Sequence, residues 1–335
     1  MEPTPIRDTL NHHILRHQKG LGTRTRGEFS GLLMQVASAC KWIASECRRA
    51  GLGDAKGSTG SVGHHGDEVH RLDAFADAAF ARAFDHTALA AAVVSEEMEE
   101  PYYPAGNEDG KADYVVCIDP IDGSGNIEVD VTVGTIFSVQ KRAAANRAPV
   151  LKDLLRAGTH LEAAGYVLYG PACVMVLATG LGVDVCTQDP VTGEFLVTDT
   201  KVQVPSRGPA YSVNEANDSK WDEKVRRLVG RLRAGEVGEM RTSRYVGSLV
   251  ADFHRTLLRG GLFCYPGEAK KPEGKIRLLY EAAPLAFIAE KAGGAASTGK
   301  GRILEVVPKD VHERTPVFLG GSDDVADAVR ILGGG

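Results

Sequence analysis

The apolar run Tyr114-Val115-Val116-Cys117-Ile118 breaks off without a polar transition into Asp119-Pro120-Ile121-Asp122-Gly123-Ser124-Gly125-Asn126. Five apolar residues with no alternation read as a strand covered on both faces, which requires layers of structure above and below its sheet. Asp, Pro and Gly are ordinary turn formers, so the exit from this strand is a plain turn on one reading. It is a site on another. A second strand-like run, residues 91–97, ends in Ser95-Glu96-Glu97. If the two runs lie side by side and parallel, four carboxylates meet at one sheet edge. Close like charges disfavour ionisation, so such an edge calls for cations. An all-oxygen cluster suits hard divalent ions, Mg2+ or Mn2+ as a substitute. Two such ions about 4 Å apart can clamp a phosphate and align a water for in-line attack. The small residues Gly123, Ser124 and Gly125 bring backbone N–H groups that can approach phosphate oxygens. Taken alone, Glu96-Glu97 is a solvated strand end; beside the second run the site reading gains.

The rest of the chain reads as α/β with mixed strands and no internal repeat. Residues 29–50 have helical periodicity, with Gly51 as a stop. The Gly/Ser-rich stretch 51–66 has a linker's composition but is expected to act as a closing lid, and a second helix is expected from about Asp67, its cap, to Phe84. Strand-like runs follow at 91–97, 114–119 and 135–142, then AAGYVLYG, CVMVLATG, GVDVCTQD and FLVTD. Beyond residue 200, helices are expected near 220–233, 246–259 and 278–292, with strand-like LFCYP, RILEVV and PVFLG. The break VTDTKVQVPSRGP divides the chain into an N-terminal half, 1–200, and a C-terminal half, 201–335.

A net charge of −5, from 39 basic and 44 acidic residues, argues against nucleic acid or an anionic membrane as partner. The most basic segment, 224–233, spaces Val225, Leu228, Val229 and Leu232 as the buried face of an amphipathic helix. No apolar run reaches the roughly 18 residues that span a bilayer, and the N-terminus lacks a signal-peptide core. Six scattered cysteines without metal spacing imply reduced thiols and a cytoplasmic protein. GGAASTGKG at 293–301 has glycine where a phosphate-binding loop needs Ser or Thr.

DPIDGSGNIEVDVTVGTIFSV, GYVLYGP, DPVTGEF, YSVNEAN, RYVGSLVADFHRTLLRGGLFCYP and GKIRLLYEAAPLAFIAEKAGGAASTG together resemble class I fructose-1,6-bisphosphatase, in the family's order over residues 23 to 325. The resemblance implies a layered α+β sandwich of two mixed-sheet α/β halves, a sugar-phosphatase-like fold, usually assembled as a homotetramer. It implies metal ligation by Glu96, Asp119, the Ile121 carbonyl, Asp122 and Glu281, with Asp67 approaching when its loop closes. Asp73 and Glu97 would polarise the attacking water. Asp122 and the Gly123-Ser124-Gly125 turn would meet the reacting phosphate, with Arg277 beside it. Asn214, Tyr245, Tyr265 and Lys275 would grip the distal phosphate, and Arg244 would reach that of a neighbouring subunit.

The implied reaction is magnesium-dependent hydrolysis of fructose 1,6-bisphosphate. Sedoheptulose 1,7-bisphosphate is an alternative substrate, because Asn217 and Leu249 depart from the family's usual Tyr and Met. A catalytically dead regulatory subunit would need a missing ligand, and every matched position is intact. A possible AMP site maps to Gly27, Glu28, Ser30, Tyr114 and Lys141. There Arg26 could assist, but Asp113 stands where the family has lysine, which implies weakened AMP inhibition. No redox switch is expected, since 142–166 carries no cysteine.

Overall fold

The computed structural model describes residues 7–18, 27–52, 57–62, 68–107, 110–145, 147–237 and 240–334. Helices α1 (Leu10–His17) and α2 (Glu28–Arg49) precede a short antiparallel pair, β1 (Ser58–Val62) and β2 (Glu68–His70), and then α3 (Arg71–Phe84). A seven-stranded sheet follows, with strands adjacent in chain order: β3 (Ala90–Ser95), β4 (Tyr114–Asp122), β5 (Val133–Lys141), β6 (Leu161–Tyr169), β7 (Cys173–Thr179), β8 (Gly182–Gln188) and β9 (Phe195–Asp199). One turn, α4 (Leu151–Leu154), interrupts the series. The later residues build β10 (Ala210–Ser212), α5 (Glu223–Ala234), β11 (Thr242–Ser243), α6 (Leu249–Arg259), β12 (Leu262–Tyr265), α7 (Ala283–Lys291), β13 (Ala295–Ser297), β14 (Val317–Gly320) and α8 (Ser322–Gly333). The smaller sheet has the order β11-β10-β12-β14-β13.

Alternation along the strands creates five layers. Val116, Ile118 and Phe137 face Leu32 and Val36 of α2 and Phe80 of α3. Ile136, Tyr166 and Val176 face the other way, onto Phe253 of α6 and Leu285 and Ile288 of α7. Phe263 and Leu319 of the small sheet join that second core, so α6 and α7 lie between the sheets. Leu262 and Phe318 point outward from the small sheet onto Leu228 of α5 and Ile331 of α8. A side-chain period of two gives each sheet two apolar faces, and each face is covered. All nine residues of β4 are buried, as its unbroken apolar run demanded.

Both sheets are mixed. β3 and β4 run parallel, aligned Ser95 to Ile118, and the other pairs of the large sheet are antiparallel. Parallel neighbours need a long crossover, and residues 96–113 supply it. That crossover is pinned midway, where Tyr102 and Val93 exchange both backbone hydrogen bonds at 2.8 Å.

Three sequence expectations change. The second helix begins at Arg71 with His70 as its cap, because Glu68–His70 is drawn into pairing with β1; Asp67, the expected cap, lies outside the described residues. Part of the 51–66 stretch is therefore strand, residues 58–62. RILEVV is not a strand: Ile303–Glu305 forms a 3-10 turn, because Ile303 and Leu304 both enter the core beside α7, which an alternating strand cannot arrange. The six cysteines are free, as expected, and four of them, Cys40, Cys117, Cys186 and Cys264, are buried. Among the described residues no helix is long and apolar enough to cross a membrane.

The packing of the central sheet is tight at Gly165, where an added Cβ would stand 2.3 Å from Phe137 Cζ and 2.6 Å from the Val176 carbonyl oxygen. Gly165→Ala should lower the unfolding free energy by about 2 kcal/mol, the scale of core overpacking. A chemical-denaturation midpoint equal to that of the unmodified protein would contradict this packing.

Candidate active site

Three chain segments bring carboxylates to the C-terminal edge of the β3–β4 pair. Glu96 directly follows β3, its N–H bonded to the Ile118 carbonyl at 3.1 Å. Asp119 lies in β4 and is buried. Glu281 comes from the distant C-terminal half, on a π-helical turn, Leu278–Ala282, that leads into α7. One carboxylate oxygen from each of Glu96, Asp119 and Glu281 lies within 4.8 Å of the others. Burial and neighbouring carboxylates drive Asp119 and Glu281 well above the usual range. Burial, with Glu97 close by, pushes Glu96 to about 7, against the pull of Arg277. Glu281 Oε2 accepts the Arg277 N–H at 2.5 Å, and Arg277 Nε lies 3.8 Å from Glu96 Oε1. One partly shared cation does not balance three carboxylates. An all-oxygen set of this spacing fits a hard divalent cation.

Asp122 joins the same edge through a β-bulge. The β4–β5 register passes from Asp119↔Ile136 to Asp122↔Gly134, three residues against two. Without that extra residue, side chains three apart would point to opposite faces. Pro120 falls inside the bulge, where it breaks no ladder bond, and its carbonyl accepts from Thr135 Oγ1 at 2.7 Å. Asp122 Oδ2 accepts from Val250 N at 2.9 Å and Ser248 Oγ at 3.3 Å, both at the start of α6. These bonds oppose the burial that lifts Asp122 to about 6. Ile121 is buried in the same bulge. Gly123 turns the chain with φ 74°, a left-handed conformation that suits glycine, and Ser124 and Gly125 open a 3-10 turn.

Asp73 and Glu97 flank the cluster. Asp73 accepts the His70 N–H at 3.2 Å through Oδ2, while its Oδ1 is buried without a hydrogen-bond partner. Burial pushes this carboxyl to about 6. Glu97 N–H donates to Ser95 Oγ at 3.3 Å, and Ser95 Oγ donates to Asp77 Oδ1 at 2.6 Å. Asp77 was not singled out from the sequence. Its only signal is its place one turn after Asp73 on a helix whose inner face is otherwise apolar.

Two family models divide the chain between them, "Fructose-1-6-bisphosphatase, N-terminal domain" over residues 8–200 and "Fructose-1-6-bisphosphatase, C-terminal domain" over residues 204–333. The chain belongs to the fructose-1,6-bisphosphatase family. It is 46% identical over 320 residues to a fructose-1,6-bisphosphatase class 1 of Chlorobium chlorochromatii, covering 95% of each chain. It is 42% identical to a cytosolic fructose-1,6-bisphosphatase of Brassica napus, covering 95% of this chain and 93% of that one. The holo crystal structure of Leishmania major fructose-1,6-bisphosphatase superposes with a TM-score of 0.91 at 36% identity, over 99% of this chain and all of that one.

Of the remaining residues matched to the fructose-1,6-bisphosphatase pattern, Tyr245 and Tyr265 lie close enough to feel the charges of Asp122 and Glu281. Asn214, Tyr265 and Lys275 line one pocket together with Asn217, Trp221 and Lys271. Tyr245 lies near Asn214 and Tyr265, and burial lifts its hydroxyl to about 12. Arg244 is exposed, its backbone N–H bonded to the Tyr211 carbonyl at 2.8 Å. Asn217 accepts from Lys220 Nζ at 2.9 Å. Lys271, exposed at the pocket's rim, was missed from the sequence, since nothing in GEAKKPEGK sets it apart from the other lysines.

The positions matched to AMP lie on the opposite side of the large sheet. Gly27, with φ 94°, caps α2, and Glu28 is its first residue. The hydroxyls of Ser30 and Tyr114 are buried without hydrogen-bond partners. Lys141 Nζ is 3.2 Å from Asp113 Oδ2.

The cluster has a consequence for stability. Asp73, Glu96 and Asp122 all sit above their unfolded values near 4, so the native chain holds more protons than the unfolded one. That contribution is full below about pH 4 and is lost as pH rises through about 6 to 7. A divalent cation favours the ionised forms and should restore it. Saturating Mg2+ should therefore raise the thermal midpoint more at pH 8 than at pH 5, and Glu281→Gln should shrink the difference. A magnesium-induced shift equal at both pH values, by thermal denaturation against a chelator control, would refute this balance.

Proposed function

We propose that this chain hydrolyses fructose 1,6-bisphosphate to fructose 6-phosphate and phosphate at the carboxylate edge of the β3–β4 pair. The convergence of Glu96, Asp119 and Glu281 within 4.8 Å, in a chain of the fructose-1,6-bisphosphatase family, carries the reading. Glu96, Asp119, Asp122, Glu281 and the Ile121 carbonyl would hold divalent cations, Mg2+ or Mn2+ by their all-oxygen donor set. Bound there, such cations supply charge neutralisation for phosphoryl oxygens and a more acidic water.

The chain's own groups do the remaining work. Asn214, Tyr245, Tyr265 and Lys275 hold the distal phosphate, orienting the sugar without moving during the reaction. The N–H groups of the Gly123-Ser124-Gly125 turn and the guanidinium of Arg277 face the oxygens of the reacting phosphate. Water attacks phosphorus as the bond to the sugar O1 breaks. Asp73 and Glu97 would orient the water and take up its proton, and the departing sugar oxygen would be protonated from solvent. Fructose bisphosphate is favoured over the seven-carbon homologue because the relatives matched over nearly the whole chain carry it in their names. The family resemblance supports a homotetramer, in which Arg244 would serve a neighbour's site, and a cytoplasmic setting like that named for the Brassica relative.

AMP inhibition should be weak in this chain. Asp113 stands where the family has a phosphate-binding lysine, and Lys141, which could offset part of that loss, is paired with Asp113. An AMP titration should show stronger inhibition of Asp113→Lys than of the unmodified enzyme. Potent inhibition of the unmodified enzyme, unimproved by that substitution, would overturn this assignment.

Asp119→Asn should keep the fold and lose about a thousandfold in turnover or more, since the loss of a charged metal ligand removes several kcal/mol of transition-state stabilisation. The measurement is phosphate release from fructose 1,6-bisphosphate with and without Mg2+. Near-normal turnover by folded Asp119→Asn protein would sink the proposal.

A further inference from the structure

The metal-site carboxylates belong to chain segments far apart in sequence, and something must hold Glu281 in register with Glu96 and Asp119. The π-helical turn that carries Glu281 is tied at three points to the segment after it, residues 310–315. Leu278 N–H donates to the Glu313 carbonyl at 2.7 Å, Thr315 N–H to the Ile276 carbonyl at 2.8 Å, and Arg277 Nη1 to the His312 carbonyl at 2.8 Å. The ring of His312 then makes two contacts of its own. Its Nδ1 is 2.8 Å from the hydroxyl of Tyr280, the residue beside Glu281, and its Nε2 is 3.3 Å from the carbonyl oxygen of Glu99.

The chemistry of these partners sets the tautomer. A carbonyl only accepts, so Nε2 carries the hydrogen; in the neutral ring Nδ1 then accepts from Tyr280. The Tyr280 ring is buried against Val94 of β3 and Cys117 of β4, directly beneath the carboxylate edge. The imidazole thus bridges the turn bearing Arg277 and Glu281 to the segment that leaves β3 through Glu96 and Glu97.

We propose that His312 is a positioning residue for the reaction, a clasp that fixes Glu281 and Arg277 against Glu96 through Tyr280 on one side and the Glu99 carbonyl on the other. The proposal rests on the phosphatase reading of the Glu96–Asp119–Glu281 cluster. Metal ligands act at a spacing set to fractions of an ångström, so a loosened turn weakens metal affinity and turnover while the distal-phosphate pocket keeps its grip.

The test compares His312→Ala, His312→Asn and Tyr280→Phe in full-length protein, measuring phosphate release against both bisphosphate and Mg2+ concentration and the thermal midpoint with and without Mg2+. In His312→Ala, kcat should fall about tenfold or more and the Mg2+ concentration for half-maximal rate should rise about fivefold or more. KM for the bisphosphate should stay within about twofold. Asn places an amide oxygen where Nδ1 was but does not reach the Glu99 carbonyl, so His312→Asn should recover only part of the loss. Tyr280→Phe should reproduce the magnesium shift, and adding His312→Ala to it should cost little more. If His312→Ala does not fold, Tyr280→Phe and His312→Asn carry the test. Unmodified magnesium dependence in Tyr280→Phe, or in folded His312→Ala, would overturn the clasp. Equal losses in kcat and in thermal stability without a magnesium shift would also overturn it, leaving a packing role alone. If the unmodified enzyme released phosphate with no need for a divalent cation, the phosphatase reading of the cluster would fail and the clasp with it; magnesium-dependent unmodified enzyme with magnesium-indifferent variants would fault the clasp only.

Discussion

Repulsion among carboxylates at the end of the β3–β4 pair is the constraint around which the rest of the molecule is arranged. Two ionised carboxylates within the 4.8 Å found among Glu96, Asp119 and Glu281 would repel by about 3 kcal/mol or more at an effective dielectric near 20. Burial adds to this load, and together they hold Asp119 and Glu281 well above the usual carboxylate range. The fold bears it by supplying donors from elsewhere. The start of α6 gives Asp122 two hydrogen bonds, the Arg277 backbone gives Glu281 one, and the Arg277 guanidinium stands by Glu96. What these donors leave uncompensated is what a cation can use.

The layered architecture explains how such a strained edge stays in place. β4 is buried along its whole length, between α2 and α3 on one face and Leu154, Leu279 and Tyr280 on the other, so Asp119 is held against its neighbours. The bulge at Pro120 turns that rigidity to use, since it delivers Asp119 and Asp122 to one side of the sheet. α6 and α7, packed between the two sheets, carry the C-terminal contributions: Ser248 and Val250 at the head of one, and Glu281 on the turn before the other. A π-helical turn at that point is consistent with a site whose ligand geometry outweighs regular helix bonding. Stability is sacrificed locally for charge placement, the usual trade at an active site.

The face matched to AMP follows different physics. Glu28 at the head of α2 and the Asp113–Lys141 pair at the outer end of β4–β5 are partly or fully exposed, so a charge reversal there leaves the core undisturbed. The Asp113–Lys141 pair is such a local choice, screened by solvent and worth little to folding.

Much of the catalytic edge was legible in the sequence because it rests on local patterns. The unbroken apolar run before Asp119 marked a strand covered on both faces, and the carboxylates after both runs marked where those strands end. The parallel pairing of β3 and β4 could be posed as a condition from sequence but was decided by the crossover and its Tyr102–Val93 anchor. Glu281 came only from the family motif, since its neighbours in sequence say nothing of Glu96. Local patterns failed where a distant partner competed. Residues 68–70 left the helix to pair with β1, and Ile303 and Leu304 left a strand-like pattern to share one core. Asp77, Lys271 and His312 carried no signal, because ordinary polar residues gain a role only from what packs beside them. The sequence by itself therefore determined which elements form and what chemistry their ends carry, through side-chain periodicity and residue type. Tertiary structure alone decided which ends meet, because repulsion, ligation and clasping act across space between residues as far apart as Glu96 and Glu281.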